Sequence, residues 1–163
     1  MQTQSLLHKI ISFVKETGIP VLLTEVDETT FLPGILIKDG ALRVDQEKLK
    51  YPGDILHEAG HIALASFEER DALIGDVGNT QSDGAEIGAV LWSYAALVYL
   101  KLNPEVVFHP EGYKGDSGWL IENFENGNYI GLPLLQWMGF CKKDEDNDPA
   151  IAPFPHMLKW LRD

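Results

Sequence analysis

Cysteine is nearly absent from this sequence, since Cys141 is the only one among 163 residues. A single cysteine cannot form an intramolecular disulfide, which excludes the disulfide-stapled class of small secreted proteins. The first residues also lack a basic stretch followed by a long apolar run, so we expect no signal peptide. These two absences together predict a cytoplasmic protein.

Basic residues are scarce as well. Lys and Arg number 13 against 25 Asp and Glu, which gives a formal net charge of -12. Nucleic acids and anionic membrane surfaces are bound through basic footprints, so we expect neither direct nucleic-acid binding nor membrane binding. The most apolar stretch, residues 85–102, contains an acid and predicts a buried helix rather than a membrane span.

The chain also lacks internal repeats, low-complexity tracts and linkers. A length of 163 residues suffices for one domain with a real core, and a hydrophobic content of 45% is ordinary for a globular protein. We therefore expect residues 1–163 to form a single domain.

Apolar periodicity predicts a mainly helical chain with a small sheet. Helices are predicted over residues 5–17, 54–67, 83–102, 117–125 and 132–140, with Asp54 as the N-cap of the second. Residues 35–38 and 41–45 flank Asp39-Gly40, a strong hairpin signal, and residues 21–26 add a third strand. The predicted fold class is α+β, with a small antiparallel β-sheet packed on a mainly helical domain. Trp119, Trp137 and Trp160 are predicted to be core or helix-packing residues rather than to line a ligand site.

The second predicted helix carries the motif His-Glu-x-x-His as His57, Glu58 and His61. Residues four apart on a helix face the same way, so both imidazoles can reach one cation. Zinc fits best, because two imidazoles and one carboxylate leave a fourth position for water. Glu58 is placed to act on that water as a general base.

The motif needs a third protein ligand, and Glu86 is the predicted one. It stands inside an otherwise apolar helix, where an unpaired acid is costly to bury. The structural alternative is that Glu86 is a surface-facing or capping acid near the start of the helix, where negative charge is favourable. A loop is predicted over residues 75–84, before this helix. Asp76 and Asp83 in that loop are the competing ligands.

Three stretches, residues 41–45, 55–64 and 86–96, together resemble the ImmA/IrrE family of metallopeptidases, and the resemblance spans roughly residues 21–102. It implies a zincin-like fold with the motif helix central, zinc bound by His57, His61 and Glu86, and Glu58 activating water. Family members cleave transcriptional repressors, so it also implies a regulatory protease acting on a repressor or another protein partner. His-Glu-Ala-Gly-His also resembles the membrane-anchored, ATP-dependent FtsH proteases, which take a distant Asp as third ligand, but we expect neither their ATPase domain nor a membrane helix in this sequence.

The sequence thus predicts a zinc-dependent metallopeptidase that hydrolyses peptide bonds in a protein or peptide substrate. A hydrogen-bond donor to the substrate oxyanion is also expected, and Tyr94, Tyr99, His109 and Tyr113 are candidates. The alternative is a catalytically weak zincin-fold module that binds or regulates a protein. A hydrolase acting on a non-peptide bond is a third hypothesis.

Overall fold

The computed structural model describes residues 2–27, 29–75 and 83–163. Within these ranges the chain forms six α-helices and a three-stranded sheet, which agrees with the predicted α+β class. The strands are β1 (Val21–Leu23), β2 (Ile35–Lys38) and β3 (Ala41–Val44). The helices are α1 (Gln2–Glu16), α2 (Asp54–Leu64), α3 (Phe67–Arg70), α4 (Asp83–Tyr99), α5 (Ser117–Glu125) and α6 (Leu132–Trp137), with short 3-10 turns at Pro104–Val106 and Tyr113–Gly115.

The first helix, α1, forms because its apolar residues recur on one stripe. Ile10, Phe13 and Val14 are buried on that stripe, at the spacing of an amphipathic helix. Gly18 follows with a φ of +99°, the left-handed conformation that ends many helices. The helix predicted over residues 5–17 is confirmed, with about one more turn at its start.

The sheet has the strand order β1-β3-β2 and mixes two kinds of pairing. β2 and β3 form the predicted antiparallel hairpin, closed by Asp39 and Gly40, both of which have positive φ. β1 instead runs parallel to β3, with Val21 opposite Leu42, so the prediction of a purely antiparallel sheet is wrong. Residues 24–34 connect β1 to β2 and pass the C-terminal end of β3, so β3 is the middle strand of the sheet.

Asp45, directly after β3, holds that connection in place. Its buried carboxylate accepts hydrogen bonds from the backbone nitrogens of Val26 and Glu47, each at 3.1 Å. The bond from Val26 lowers the pKa of Asp45 below its ordinary value, although burial opposes the shift. The side chain of Asp45 thus attaches the connection between β1 and β2 to the central strand β3.

Helices α2 and α4 pack so closely that only glycine fits at their crossing. A Cβ at Gly60 would lie 2.8 Å from the backbone oxygen of Ala89 and 3.1 Å from its Cα. Both distances are shorter than an ordinary contact between non-bonded atoms. The apolar residues of α2 are fully buried: Ile55, Leu56, Ala59, Ile62 and Ala63. The motif helix therefore lies at the centre of the core.

The limits of α2 differ from the prediction at both ends. Gly53 occupies the N-cap position, so the prediction of Asp54 as the cap is wrong. Asp54 is instead buried and paired with His109. At the other end the helix stops at Leu64 rather than near residue 67, because Ser66 begins α3 with a capping box.

Helix α4 is apolar nearly all round and is central as well. Leu91, Trp92 and Ser93 are fully buried on it. The helix begins at Asp83 as predicted and ends at Tyr99 rather than near residue 102. None of the described helices is both long and apolar enough to cross a membrane. Most of the loop predicted over residues 75–84 lies outside the described residues.

The C-terminal third adds aromatic packing to this core. α5 has the predicted limits, whereas α6 is shorter than predicted. Trp160 packs edge-on against Phe13 and Trp92. Trp119 and Trp137 are more than half exposed, so of the two predicted roles a place in the core is excluded for them.

The last residues of the chain cap the C-terminal end of α2. The backbone nitrogen of Arg162 donates to the carbonyl of Ala63 at 3.0 Å, and its guanidinium donates to the carbonyl of Leu64 at 3.2 Å. The final carbonyls of a helix have no partner within the helix. These two bonds therefore stabilise the end of the motif helix and attach it to the C-terminal segment.

Candidate metal centre

Two imidazoles of α2 meet on one face of the helix. His57 and His61 are one turn apart, and their Nε2 atoms are separated by 3.3 Å. The side chain of His61 is 1% exposed and that of His57 is 12% exposed. Both rings therefore present Nε2 to a single, largely enclosed point, as the motif predicts.

The third side chain comes from α4. Oε1 of Glu86 lies 3.3 Å from Nε2 of His57, and Oε2 lies 2.7 Å from Nε2 of His61. The close packing of the two helices lets one carboxylate reach both rings. The structure thus places Glu86 where the predicted third ligand belongs. Of its competitors, Asp83 is the first residue of α4 and Asp76 lies outside the described residues.

Two of the three separations between the donor groups match a tetrahedral metal ion such as zinc. Two ligand atoms about 2.05 Å from a tetrahedral zinc lie about 3.3 Å from each other. The two imidazole nitrogens are 3.3 Å apart, and so are Nε2 of His57 and Oε1 of Glu86, whereas the 2.7 Å between His61 and Glu86 is the length of a hydrogen bond. All three groups offer a ligand atom within 4.8 Å of the others. Two imidazoles and one carboxylate also match catalytic zinc sites that keep a position for water.

Glu86 carries its negative charge in this setting. Burial raises the pKa of Glu86, but hydrogen bonds and charges from His57 and His61 outweigh it and hold the pKa well below its usual range. A carboxylate must be deprotonated to ligate a metal. The surroundings of Glu86 therefore favour the form that a metal requires.

Glu58 lies beside the first imidazole without joining the three donors. Its Oε1 is 4.0 Å from Nε2 of His57, and its side chain is 13% exposed. A carboxylate at this distance can reach a water held near the donor atoms through one hydrogen bond. The structure therefore brings together all four side chains that the sequence assigns to the site.

The sequence does not reveal what holds the other nitrogen of His57. The hydroxyl oxygen of Tyr113 lies 3.1 Å from Nδ1 of His57, and the two rings meet edge-on. Burial raises the pKa of Tyr113 well above its ordinary value, so the phenol keeps its proton. The residues are 56 positions apart, and Tyr113 lies in a 3-10 turn, so no periodicity in the sequence indicates this contact.

Tyr94 and Tyr99, two more of the candidate oxyanion donors, pack against aromatic rings. Tyr94 packs on Phe124, with ring centroids 4.9 Å apart. Tyr99 is exposed and packs edge-on against Trp160. The contacts of these two tyrosines are therefore structural, away from the donor atoms of the candidate metal centre.

The fourth candidate, His109, belongs to a buried pair at the start of α2. Its Nε2 lies 2.8 Å from Oδ1 of Asp54. Burial raises the pKa of Asp54, and the hydrogen bond with His109 opposes the shift. The His109 ring stacks on Tyr51 with centroids 3.7 Å apart, and a Cβ at Gly112 would lie only 3.1 Å from its Cε1. This packing anchors the segment that carries Tyr113 onto α2.

A cavity of about 470 Å³ opens beside the candidate ligands. His57, Glu86 and Tyr113 line it, and the apolar residues Leu32 and Pro33 contribute to its wall. Ligand sites are concave, mostly apolar and of this size, with a few polar groups that fix orientation. The candidate metal centre is therefore open to a substrate on the side of the cavity.

Comparison of the chain with protein-family models, with curated proteins and with solved structures finds no match. The resemblance to the ImmA/IrrE family therefore rests on the motif residues alone. It stays a prediction.

Proposed function

We propose that this protein is a zinc-dependent metallopeptidase of the His-Glu-x-x-His type. The observation that carries the proposal is the convergence of His57, His61 and Glu86 on one point at the wall of a cavity, with Glu58 beside them. Two histidines that merely served the core would need neither a third donor from another helix nor a second acid. The set as a whole matches what metal-assisted hydrolysis requires.

The division of chemical roles follows from the positions of the side chains. Zinc, when bound, would acidify a coordinated water and polarise the substrate carbonyl. His57 and His61 would hold it as neutral imidazoles, and Glu86 as a carboxylate. Glu58 accepts a proton from the attacking water at Oε1 and then delivers it to the leaving amine nitrogen.

The proposed substrate is a protein or peptide. The cavity beside the ligands has room for a side chain next to the reacting bond, and Leu32 and Pro33 make part of its wall apolar. Action on a repressor or another protein partner is proposed from the family resemblance alone.

The cavity also bears on the alternative of a catalytically weak binding module. A structural zinc site is closed by four protein ligands, whereas a catalytic one keeps a position for water or substrate. Two of the three donors, His57 and Glu86, line the cavity, and this supports the enzyme over the binding module.

Glu58→Gln tests the proposal, because it removes the proposed base and leaves the three metal ligands in place. We expect the variant to bind zinc as the wild type does and to lose peptide cleavage by at least about 100-fold. Zinc content is measured by metal analysis of the purified protein, and cleavage by mass spectrometry of a mixed peptide library.

Glu122→Gln is the matched control, since Glu122 is an exposed acid on α5. It should cleave and bind zinc like the wild type. Full activity in Glu58→Gln would refute the role of Glu58. Zinc binding without cleavage in the wild type would instead favour the binding module.

A further inference from the structure

The nitrogen of His57 that faces away from the other donors is held by a tyrosine. The hydroxyl oxygen of Tyr113 lies 3.1 Å from Nδ1 of His57, and the two rings meet edge-on. The contact fixes both the position of the ring and the direction in which Nε2 points.

The direction of the proton on this bond follows from what a metal requires. An imidazole that ligates a metal through the lone pair of Nε2 carries its proton on Nδ1 and donates it there. The hydroxyl oxygen of Tyr113 is within hydrogen-bond distance of Nδ1 and can accept it.

The backbone around Tyr113 is built to hold this contact. Tyr113 and Lys114 have φ values of 55° and 53°, a left-handed conformation at two successive residues other than glycine. Such conformations are unfavourable and persist where the surrounding structure imposes them, often at functional sites. The imposing contact nearby is Ser117, whose hydroxyl donates to the carbonyl of His109 at 2.6 Å.

We propose that Tyr113 is a positioning residue, which fixes the orientation and tautomer of His57 so that Nε2 faces the metal. The inference rests on the metal centre of the proposed function and does not depend on peptide cleavage. Partners of this kind typically change metal affinity by about 10- to 100-fold when they are removed.

Tyr113→Phe tests this role, because it keeps the ring and removes the acceptor of the His57 proton. We expect zinc affinity, measured by competition with a chromogenic chelator, to fall by about 10- to 100-fold. In the zinc-loaded protein labelled with nitrogen-15 histidine, the Nδ1–H signal of His57 should exchange slowly in the wild type and rapidly in the variant. Tyr99→Phe, at an exposed tyrosine, should change neither quantity.

Ser117→Ala keeps the proposal testable if Tyr113→Phe fails to fold, since it removes the hydroxyl that donates to the carbonyl of His109 at 2.6 Å and holds the segment that carries Tyr113. It should weaken zinc binding in the same direction. A thermal unfolding curve of the metal-free protein shows that each variant is folded.

Unchanged zinc affinity and an unchanged Nδ1–H signal in folded Tyr113→Phe would overturn the inference and leave the proposed function intact, and unchanged affinity in Ser117→Ala would do the same if Tyr113→Phe did not fold. Wild-type protein that binds zinc with the expected sensitivity to Tyr113 but cleaves no peptide would contradict the peptidase alone. Wild-type protein that binds no zinc would overturn both.

Discussion

Replacing Gly60 by alanine tests whether the close approach of α2 and α4 sets the geometry of the metal centre. The added Cβ would lie 2.8 Å from the backbone oxygen of Ala89, where ordinary contacts begin at 3.4 Å, so the helices would have to separate by roughly 0.6 Å, the difference between the two. Overpacking of this kind costs about 1–3 kcal/mol, and the better helix propensity of alanine offsets about 1 kcal/mol. We expect a net loss of up to about 2 kcal/mol in the free energy of unfolding.

The same shift should loosen the site, because Glu86 is on one helix and both histidines are on the other. Ligands must be held within about 0.5 Å of their productive geometry, so we expect zinc affinity to fall by about tenfold. The measurements are denaturant unfolding of the metal-free protein and zinc titration against a competing chelator.

Gly118→Ala is the matched control, since a Cβ at Gly118 on α5 would meet nothing within 4 Å. It should leave zinc affinity unchanged and alter stability by less than about 1 kcal/mol in the favourable direction. Gly60→Ala should be less stable than Gly118→Ala by about 1–3 kcal/mol. If both variants were equally stable and bound zinc equally well, the reasoning about the helix crossing would be refuted.

Two further predictions concern the framework around the site. The folded pKa of Asp45 is lowered, so its contribution to stability is present above the unfolded pKa of about 3.9 and is lost as pH falls through the folded pKa. Asp45→Asn should therefore lose less melting temperature between pH 7 and pH 3 than the wild type, as measured by circular dichroism; an equal loss would contradict this. Arg162→Ala removes the bond to the carbonyl of Leu64 and a guanidinium 5.5 Å from the ring centre of Trp137, so the free energy of unfolding should fall by about 1 kcal/mol in denaturant titrations. Unchanged stability would show that the guanidinium contributes nothing, since the backbone bond from residue 162 to Ala63 remains in the variant.

The local elements of the fold could be predicted because their signals are local. The apolar stripe of α1, the Asp39-Gly40 turn and the apolar run of α4 each indicate their structure within a few residues. The α+β class follows from these elements. Pairing between distant strands carries no such signal, so the parallel contact of Val21 with Leu42 could not be predicted.

The predicted site residues lie together because their chemistry restricts where they can be. Two histidines one turn apart must share a face of a helix, and an acid in an apolar helix needs a partner. Glu86 therefore stands out from the sequence before any contact is known. Its 2.7 Å approach to His61 supplies the partner that burial requires.

The surroundings of the site could not be predicted, because they depend on contacts between distant parts of the chain. Asp54 resembles a helix cap in sequence, yet it is buried against His109, which lies 55 positions away. The exposure of Trp119 and Trp137 likewise depends on how the C-terminal third packs. Aromatic character alone favours burial and does not indicate which tryptophans find a partner.

X-ray absorption at the zinc edge of the purified protein tests the metal centre most directly, with Glu86→Ala measured beside the wild type. We expect one zinc per chain, bound by two imidazole nitrogens and by oxygen donors, one of them from water, and we expect Glu86→Ala to lose the metal. A wild-type protein without zinc, or with zinc enclosed by four protein ligands, would contradict the account.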